Sequence, residues 1–279
     1  MATFNATSIL IDAFLDELES AQRRMYPGLP REYAGVIRAA GTMAMEIIAN
    51  TSAFYHNTDH SMMVTLVGQE ILHGKFLREG SVGARDWVHF MVSLLCHDIG
   101  YVRGICPGDD GDVAVIDEAG NTIELPPDAT DAFLTPYHVE RGKLFVRRRF
   151  REHPVIDPEI VVENIARTQF PVPDEEEAAK DDDYPGLLRA ADLIGQLADP
   201  DYMRRLPALF YEFEETGANE AIGYRTVEDI RRGYPNFYWN MVNRHIGAGI
   251  EYLRVTREGR LWEASLYSHI FAEEHAGAR

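Results

Sequence analysis

Residues 86–100 read DWVHFMVSLLCHDIG, an apolar stretch that closes on a histidine, an aspartate and a glycine. Large apolar side chains recur here every three or four residues, as on one face of a helix; they are Trp87, Phe90, Met91, Leu94 and Leu95. Gly100 is a usual stop signal for a helix. The pattern predicts a buried helix over 86–98, with His97 and Asp98 at its end.

Helical periodicity also dominates the sequence on both sides of this segment. It predicts further helices over about 7–24, 33–50, 58–77, 135–151, 157–168, 186–197, 200–215, 227–231, 236–256 and 260–274. Two of these helices have a specific start signal, because Thr135 and Asp157 are N-cap residues that each precede a proline. The expected fold class is therefore all-α.

One segment, over 106–135, lacks helical periodicity and is rich in Gly, Pro and Asp. Within it, 113–116 and 122–125 flank the turn sequence DEAGN and predict a small hairpin. We expect this segment to be an insertion between helices.

The length of 279 residues is ample for one large core. Because the sequence shows no repeats and no clear linker, we expect a single domain over 1–279, with a metal-binding core at about 33–200 and a C-terminal helical extension at about 200–279. The acidic stretch over 171–185 predicts a solvated, mobile loop.

The composition argues against several classes of function. The net charge is −18, so the surface repels nucleic-acid phosphates and anionic membranes, and neither is expected as a partner. An anionic substrate must then meet a local positive site, which a bound metal would supply. There are two cysteines without a CxxC pair, no signal peptide, and no apolar run of the roughly 18 residues that span a bilayer. These features predict a cytoplasmic protein.

Four polar residues lie in settings that make them costly as simple packing. His97 and Asp98 end the apolar helix described above, and Asp192 lies within LLRAADLIGQ at 187–196. A buried carboxylate is strongly unfavourable unless it is paired or binds a metal. His60 opens another apolar helix. Each residue alone would fit ordinary packing, whereas together their nitrogens and oxygens suit Zn, Mn, Fe or Mg.

The set His60, His97, Asp98 and Asp192 resembles the ligand pattern of the HD superfamily of metal-dependent phosphohydrolases, over residues 33–200. The sequence RAADLIGQ around the last aspartate carries much of the likeness. Two later segments, ADLIGQLADPDYMRRLPALFYEFEETG and YPNFYWNMVNRHI, resemble a bacterial family of HD phosphohydrolases. The resemblance implies an all-α bundle around one or two divalent ions. It also implies hydrolysis of a small phosphorylated, nucleotide-like substrate by a metal-activated water, with catalytic Asp98 bridging two ions.

Residues 55–60 read YHNTDH, which is similar to the YHNxxH segment of the cyclic nucleotide phosphodiesterases. That likeness implies that His60 is a metal ligand and that His56 protonates the leaving oxygen. The alternatives for His56 are to hold a ligand in place or to cap the helix. The sequence HDIGYVRG lacks the further histidine of those enzymes, so a cyclic nucleotide is not the expected substrate.

His138, in TPYHVERGKLF, lies where related proteins have a ligand to a second metal. It could bind that ion or phosphate, or have a capping or surface role. The next predicted helix offers Thr168 and Gln169 instead of a further histidine. The six-ligand set of the di-iron HD oxygenases is therefore incomplete. An oxygenase and a non-catalytic HD signalling module remain the alternatives to a hydrolase.

Several cationic and aromatic residues have less specific expectations. Arg103 and Arg189 are predicted to bind substrate phosphate, although Arg189 could also pair with an acidic group. Arg141 is predicted to face solvent, and Lys143 with 147–149 to form an exposed basic face. The aromatic run over 234–239 predicts core packing or a homodimer contact.

Overall fold

The buried helix predicted over 86–98 forms over Ala84–Cys96. It belongs to a computed structural model that describes residues 5–25, 29–173 and 181–276. In chain order, the α-helices of these residues are α1 (Ala6–Met25), α2 (Arg31–Ile48), α3 (Thr58–Glu79), α4 (Ala84–Cys96), α5 (His138–Arg149), α6 (Pro158–Ala166), α7 (Tyr184–Leu197), α8 (Tyr202–Thr216), α9 (Ala218–Ile222), α10 (Val227–Phe237), α11 (Gly247–Leu253) and α12 (Arg257–Glu274). The fold is all-α, which confirms the predicted class.

Local start and stop signals define several of these helices. Asn57 caps α3, because its side chain accepts hydrogen bonds from two backbone amides of the first turn. Gly80 ends α3 in the left-handed region, at a φ of 65°. Asp157 caps α6 ahead of Pro158, so the start predicted there is confirmed.

The predicted start of α5, with Thr135 as the cap, is wrong by two residues. Thr135 follows a 3₁₀ helix over Asp131–Leu134, and its hydroxyl donates to the carbonyl oxygen of Ala132 at 2.6 Å. Its side chain makes no cap for α5, which begins at His138 and has Tyr137 at its cap position. The Thr-Pro signal therefore marks the end of one helical turn and not the start of the next.

The C-terminal third also departs from the prediction. The helix predicted over 236–256 is divided, since a π-helical turn over Tyr238–Val242 and a 3₁₀ turn over Asn243–His245 precede α11. In contrast, α10 continues through Pro235 to Phe237. Apolar residues keep recurring across these changes of helical pitch, which is why periodicity alone predicts one continuous helix.

The hairpin predicted in the insertion is confirmed. β1 (Val113–Val115) pairs antiparallel with β2 (Thr122–Glu124). A small apolar cluster, separate from the main core, joins Ala114 of this hairpin to Leu125 and Leu134.

Arg141, which the sequence predicts to face solvent, is fully buried. Its guanidinium donates to the carbonyl oxygens of Gly100 at 2.8 Å, Val102 at 2.9 Å and Val115 at 2.5 Å. The same group pairs with the carboxylate of Asp109 at 3.0 Å. The solvent-facing prediction is wrong because the insertion folds over this side of α5. The contacts of Arg141 thus join the insertion to α5.

Two glycines bring the segments that carry the candidate ligands into close contact. At Gly195 in α7, a Cβ atom would lie 2.7 Å from the Cα of Val64 in α3. At Gly100, a Cβ atom would lie 1.8 Å from the carbonyl oxygen of His138. A larger residue at either position would force the backbones apart. Gly100 does not end α4, which already ends at Cys96; it allows the two backbones to pack closely.

A single apolar cluster contains residues from every one of the helices α1 to α12 except α9. Tyr234 and Tyr238 of the aromatic run are buried in it, so core packing is confirmed for both. Trp239 is 50% exposed, and a homodimer contact stays a prediction. None of the helices in the described ranges is both long and apolar enough to cross a bilayer. Residues 174–180 of the predicted acidic loop lie outside the described residues.

Candidate metal centre

Four side chains predicted as metal ligands converge between α3, α7 and the turn that follows α4. His60 Nε2 lies 3.2 Å from Oδ2 of Asp98 and 3.3 Å from Oδ1 of Asp192. His97 Nε2 lies 3.3 Å and 3.7 Å from the same two oxygens. The two imidazole nitrogens are 3.5 Å apart. We call these four residues the quartet. The fold brings them together, while their binding of a metal stays a prediction.

The backbone around each histidine of the quartet sets its orientation. The Asn57 cap begins α3 at Thr58, which places His60 in the first turn. His97 follows the last residue of α4, and its Nδ1 donates to the carbonyl oxygen of Leu94 at 2.8 Å. A carbonyl oxygen only accepts, so Nδ1 carries the proton of the neutral ring. The Nε2 atom of His97 then presents a lone pair to the cluster.

The carboxylate of Asp98 has an unsatisfied atom in the same place. Asp98 is 4% exposed, and its Oδ2 makes no hydrogen bond with any described residue. This oxygen faces the Nε2 atoms of His60 and His97. Lone pairs that converge in a buried site are unfavourable unless a cation lies among them. The quartet therefore fits a proton or a metal ion.

The electrostatics of the quartet show how the site behaves without a metal. Burial opposes the charged form of His60, but the carboxylates of Asp192 and Asp98 outweigh it and raise the pKa of His60 to about 10. Burial likewise opposes the charge on His97, and the same carboxylates raise its pKa. Although burial would raise the pKa of Asp98, the two histidines hold it well below its usual range. A metal ion must displace these protons, so its binding should release them.

The donor set and its spacing fit a divalent cation. Imidazole nitrogens with carboxylate oxygens suit Zn, Mn or Fe, and the oxygens also suit Mg. Ligand atoms about 2.1 Å from one ion lie about 3.0 to 3.4 Å from each other in octahedral or tetrahedral geometry. The nitrogen–oxygen distances of the quartet, 3.2 Å to 3.7 Å, are close to that range.

His138 lies beside the other oxygen of Asp98. Its Nε2 is 3.8 Å from Oδ1 of Asp98, whereas the quartet histidines face Oδ2. Its Nδ1 donates to the carbonyl oxygen of Thr135 at 2.6 Å, which leaves a lone pair on Nε2. Burial lowers the pKa of His138 and favours its neutral form. The side chain is only 12% exposed, and Tyr137 holds the cap position of α5. A capping or surface role is thus wrong, and its role as a ligand to a second ion stays a prediction.

His56 lies at the edge of the quartet and is held by Glu212 from α8. Its Nδ1 donates to Oε2 of Glu212 at 2.6 Å. The other carboxylate oxygen accepts from two successive backbone amides at 2.5 Å and 3.3 Å. Because Asn57 caps α3, His56 does not. The ligand atoms of His56, His60 and Asp98 also lie within 4.8 Å of one another, so His56 reaches the same centre.

Tyr101 lies between His56 and His138. Its buried ring stacks on His56 with ring centroids 4.6 Å apart, and on His138 with centroids 4.5 Å apart. Burial raises the pKa of Tyr101 well above its usual value, so the ring stays neutral. The stack fixes the orientation of both imidazoles, a role that nothing in the sequence HDIGYVRG indicates.

Glu212 is a site residue that sequence reasoning misses. It lies in α8, beyond the metal-binding core predicted over 33–200, and it is 1% exposed. The position of Glu212 on an apolar helical face is the sequence feature that could have identified it. Glu212 continues the buried stripe of Leu206 and Leu209 at a spacing of three residues. A carboxylate on an apolar helical face requires a specific partner.

The two arginines predicted to bind substrate have other partners. Arg103 donates to the carboxylate of Asp131 at 2.7 Å. Arg189 is 2% exposed; its Nε donates to the carbonyl oxygen of Arg167 at 2.8 Å, and its guanidinium lies 3.6 Å from Asp181. These contacts give both arginines a structural role. The geometry therefore lends no support to the substrate-binding role predicted for them.

The fold and the quartet together define an all-α protein with a buried histidine–aspartate cluster that could hold a metal ion. The chain belongs to the Npun_R2479-like family, whose sequence profile matches residues 4–276. A search of curated proteins finds no match.

Proposed function

We propose that the protein is a metal-dependent phosphohydrolase of the HD superfamily, which cleaves a phosphodiester or phosphomonoester of a small nucleotide-like molecule. One observation carries the proposal. The quartet is drawn from three separate segments, and both of its imidazole nitrogens lie within 3.7 Å of its two carboxylate oxygens. The order of these ligands along the chain, and the sequence RAADLIGQ around the last of them, are features of the superfamily that the sequence resembles.

The quartet would hold one divalent ion, and Asp98 with His138 would hold a second beside it. When bound, such ions supply positive charge that neutralises phosphate oxygens and lowers the pKa of water. The same charge would give this acidic chain, with its net charge of −18, a local positive site for an anionic substrate.

His56 would protonate the leaving oxygen. Because its Nδ1 is engaged with Glu212, Nε2 is the ring atom left to carry a transferable proton. The carboxylate of Glu212 would fix the ring and stabilise its charged form. Burial alone would raise the pKa of Glu212, but His56 and the backbone amides lower it, so the carboxylate is ionised at neutral pH. An alkoxide leaving group needs such a proton donor in the transition state.

We also propose a cytoplasmic location. Cys96 and Cys106 are both buried free thiols, which suits a reducing compartment.

The test measures the metal content of the purified protein and its turnover of bis-p-nitrophenyl phosphate and p-nitrophenyl phosphate. We expect bound metal and a turnover that a chelator abolishes and Mn, Mg, Fe or Zn restores. His97→Ala should lose both. A metal-free wild-type protein without phosphoesterase activity would contradict the proposal. Two irons with oxygen uptake would instead indicate the oxygenase, and bound metal without any turnover would favour the signalling module.

A further inference from the structure

We propose that a cavity at the C-terminal end of α5 binds a small polyanion with a short phosphate chain, at a site separate from the quartet. The cavity has a volume of about 1020 Å³, at the upper end of the range for small-molecule sites. Four arginines line it: Arg147, Arg148, Arg149 and Arg151. Because the whole chain has a net charge of −18, this cluster is a local reversal of charge. We call it the arginine cavity. It does not depend on the proposed hydrolysis.

Acidic partners neutralise only part of this cluster. Arg147 forms ion pairs with Glu159, at 2.9 Å, and with Glu118, which also lines the cavity. Glu152 is the other carboxylate of the wall. Three arginines therefore face one remaining carboxylate, and the cavity keeps a net positive charge.

Two of the arginines are available to a ligand. Arg148 and Arg151 are exposed, and neither forms a hydrogen bond or an ion pair with a residue in the described ranges. The Nε of Arg149 lies 2.9 Å from the sulfur of Met43, a neutral partner that leaves its charge uncompensated. A guanidinium offers five N–H donors in a planar fork that matches phosphate oxygens. These donors therefore favour a ligand that carries phosphate groups.

His153 adds a neutral donor to the wall. Its Nδ1 accepts hydrogen bonds from the backbone amides of Val155 at 3.2 Å and Ile156 at 3.0 Å. A nitrogen that accepts two such bonds carries no proton, so the ring proton lies on Nε2. His153 lines the cavity, and this N–H is the donor that it contributes.

Helix stability alone does not account for the cluster. Basic residues in the last turn of a helix interact favourably with its dipole, which explains cations up to the end of α5 at Arg149. Arg151 lies beyond that end, on the same cavity. A smaller cavity of about 440 Å³ is lined instead by the carboxylates of Asp128, Glu214 and Glu215, which disfavour an anion.

The position of the cavity sets the size of its occupant. α5 has 12 residues and begins at His138, so its two ends are about 18 Å apart. One small ligand cannot fill both sites. A long nucleic acid would extend beyond the arginines along a chain whose net charge of −18 repels it. The fitting ligand is short, such as inorganic pyrophosphate or the phosphate chain of a nucleoside triphosphate.

The test titrates metal-free protein with pyrophosphate by calorimetry, in the presence of a chelator that removes phosphate binding at the quartet. We expect saturable binding with one site per chain. Arg148→Glu with Arg151→Glu should weaken it at least tenfold, since each lost contact involves a charged donor and contributes roughly that factor. The matched control, Arg225→Glu with Arg257→Glu, makes the same charge change at two other exposed positions and should bind as wild type does.

Parallel titrations with ATP and with a single-stranded oligonucleotide separate the sources of the phosphate chain. ATP binding more tightly than pyrophosphate indicates a nucleotide, and equal binding indicates an inorganic phosphate chain; both support the site. No saturable binding, equal loss in the two double variants, or tighter binding of the oligonucleotide would overturn it. If the charge reversal disturbs folding by circular dichroism, Arg148→Gln with Arg151→Gln gives the same comparison. His97→Ala should bind pyrophosphate unchanged.

Discussion

Glu212→Gln probes the hydrogen bond that holds the proposed general acid. The substitution keeps the size of the side chain and an oxygen that can accept from the two backbone amides bound by Oε1. It replaces the charged oxygen that lies 2.6 Å from His56 Nδ1 with an uncharged amide nitrogen. The charged form of His56 then loses its partner. If the His56 ring is neutral with its proton on Nδ1, this N–H faces the amide N–H of the new glutamine, so two donors face each other.

The size of the effect follows from the charge on this pair. Hydrogen bonds to charged groups contribute about 1.5 to 3 kcal/mol. If that loss falls on the protonated ring in the transition state, the rate of hydrolysis decreases about 10- to 150-fold. Metal content should not change, because the quartet keeps its own supports.

The assay compares bis-p-nitrophenyl phosphate with diphenyl phosphate. The first expels a weak base that needs little protonation, whereas phenolate is a stronger base and needs an acid catalyst. Glu212→Gln should therefore slow diphenyl phosphate more. Glu215→Gln is the matched control, since this carboxylate of α8 accepts from the backbone amide and hydroxyl of Thr130. Equal slowing of both substrates, or loss of metal, would refute the reasoning and give Glu212 a purely structural role.

Three further predictions concern the ligands, the insertion and the helix contact. His60→Ala should lose metal, whereas His56→Ala should keep metal and lose rate. Metal analysis with kinetics checks both variants, and loss of metal in both would indicate that His56 is a ligand. Burial would raise the pKa of Asp109, but Arg141 outweighs burial and holds that pKa below 3.8. The ion pair therefore stabilises the fold above this pH. That stabilisation is lost as the pH falls through the pKa that Asp109 has in the folded protein. Asp109→Asn should lower the free energy of unfolding by about 3 to 5 kcal/mol at pH 7, and this free energy should then decrease less steeply below about pH 5. Denaturant titrations at several pH values measure both effects, and an unchanged dependence on pH would count against the ion pair. Gly195→Ala places a Cβ atom 2.7 Å from a backbone atom of α3 and should reduce metal content, with native metal content as the contrary result.

The sequence predicts those parts of the site that depend on local pattern. His97 and Asp98 are buried at the end of an apolar helix, and Asp192 lies inside another with its side chain 20% exposed, so their apolar settings indicate a common purpose. The start of α6 follows in the same way from Asp157 and its proline. In each case the signal that permits the prediction lies in the sequence within about one turn of the residue concerned.

Two of the features that the sequence does not predict depend on contacts between distant segments, and a third depends on which of two local partners a side chain takes. Arg141 is buried because the insertion folds over α5 and places the carbonyl oxygen of Val115 against its guanidinium, and α5 alone carries no sign of this contact. Glu212 meets His56 from 156 positions away in the chain. Thr135 has a cap-forming side chain, but its hydroxyl bonds backward to the preceding turn. Competition between nearby and distant partners decides such positions.

The central claim is that the quartet binds a metal ion. Crystals grown with Mn and measured near its absorption edge would test it most directly. We expect an anomalous peak within coordination distance, about 2.0 to 2.3 Å, of His60 Nε2, His97 Nε2 and the carboxylates of Asp98 and Asp192. A second peak between Asp98 and His138 would show a binuclear site. A folded protein with no anomalous peak at the quartet would contradict the account.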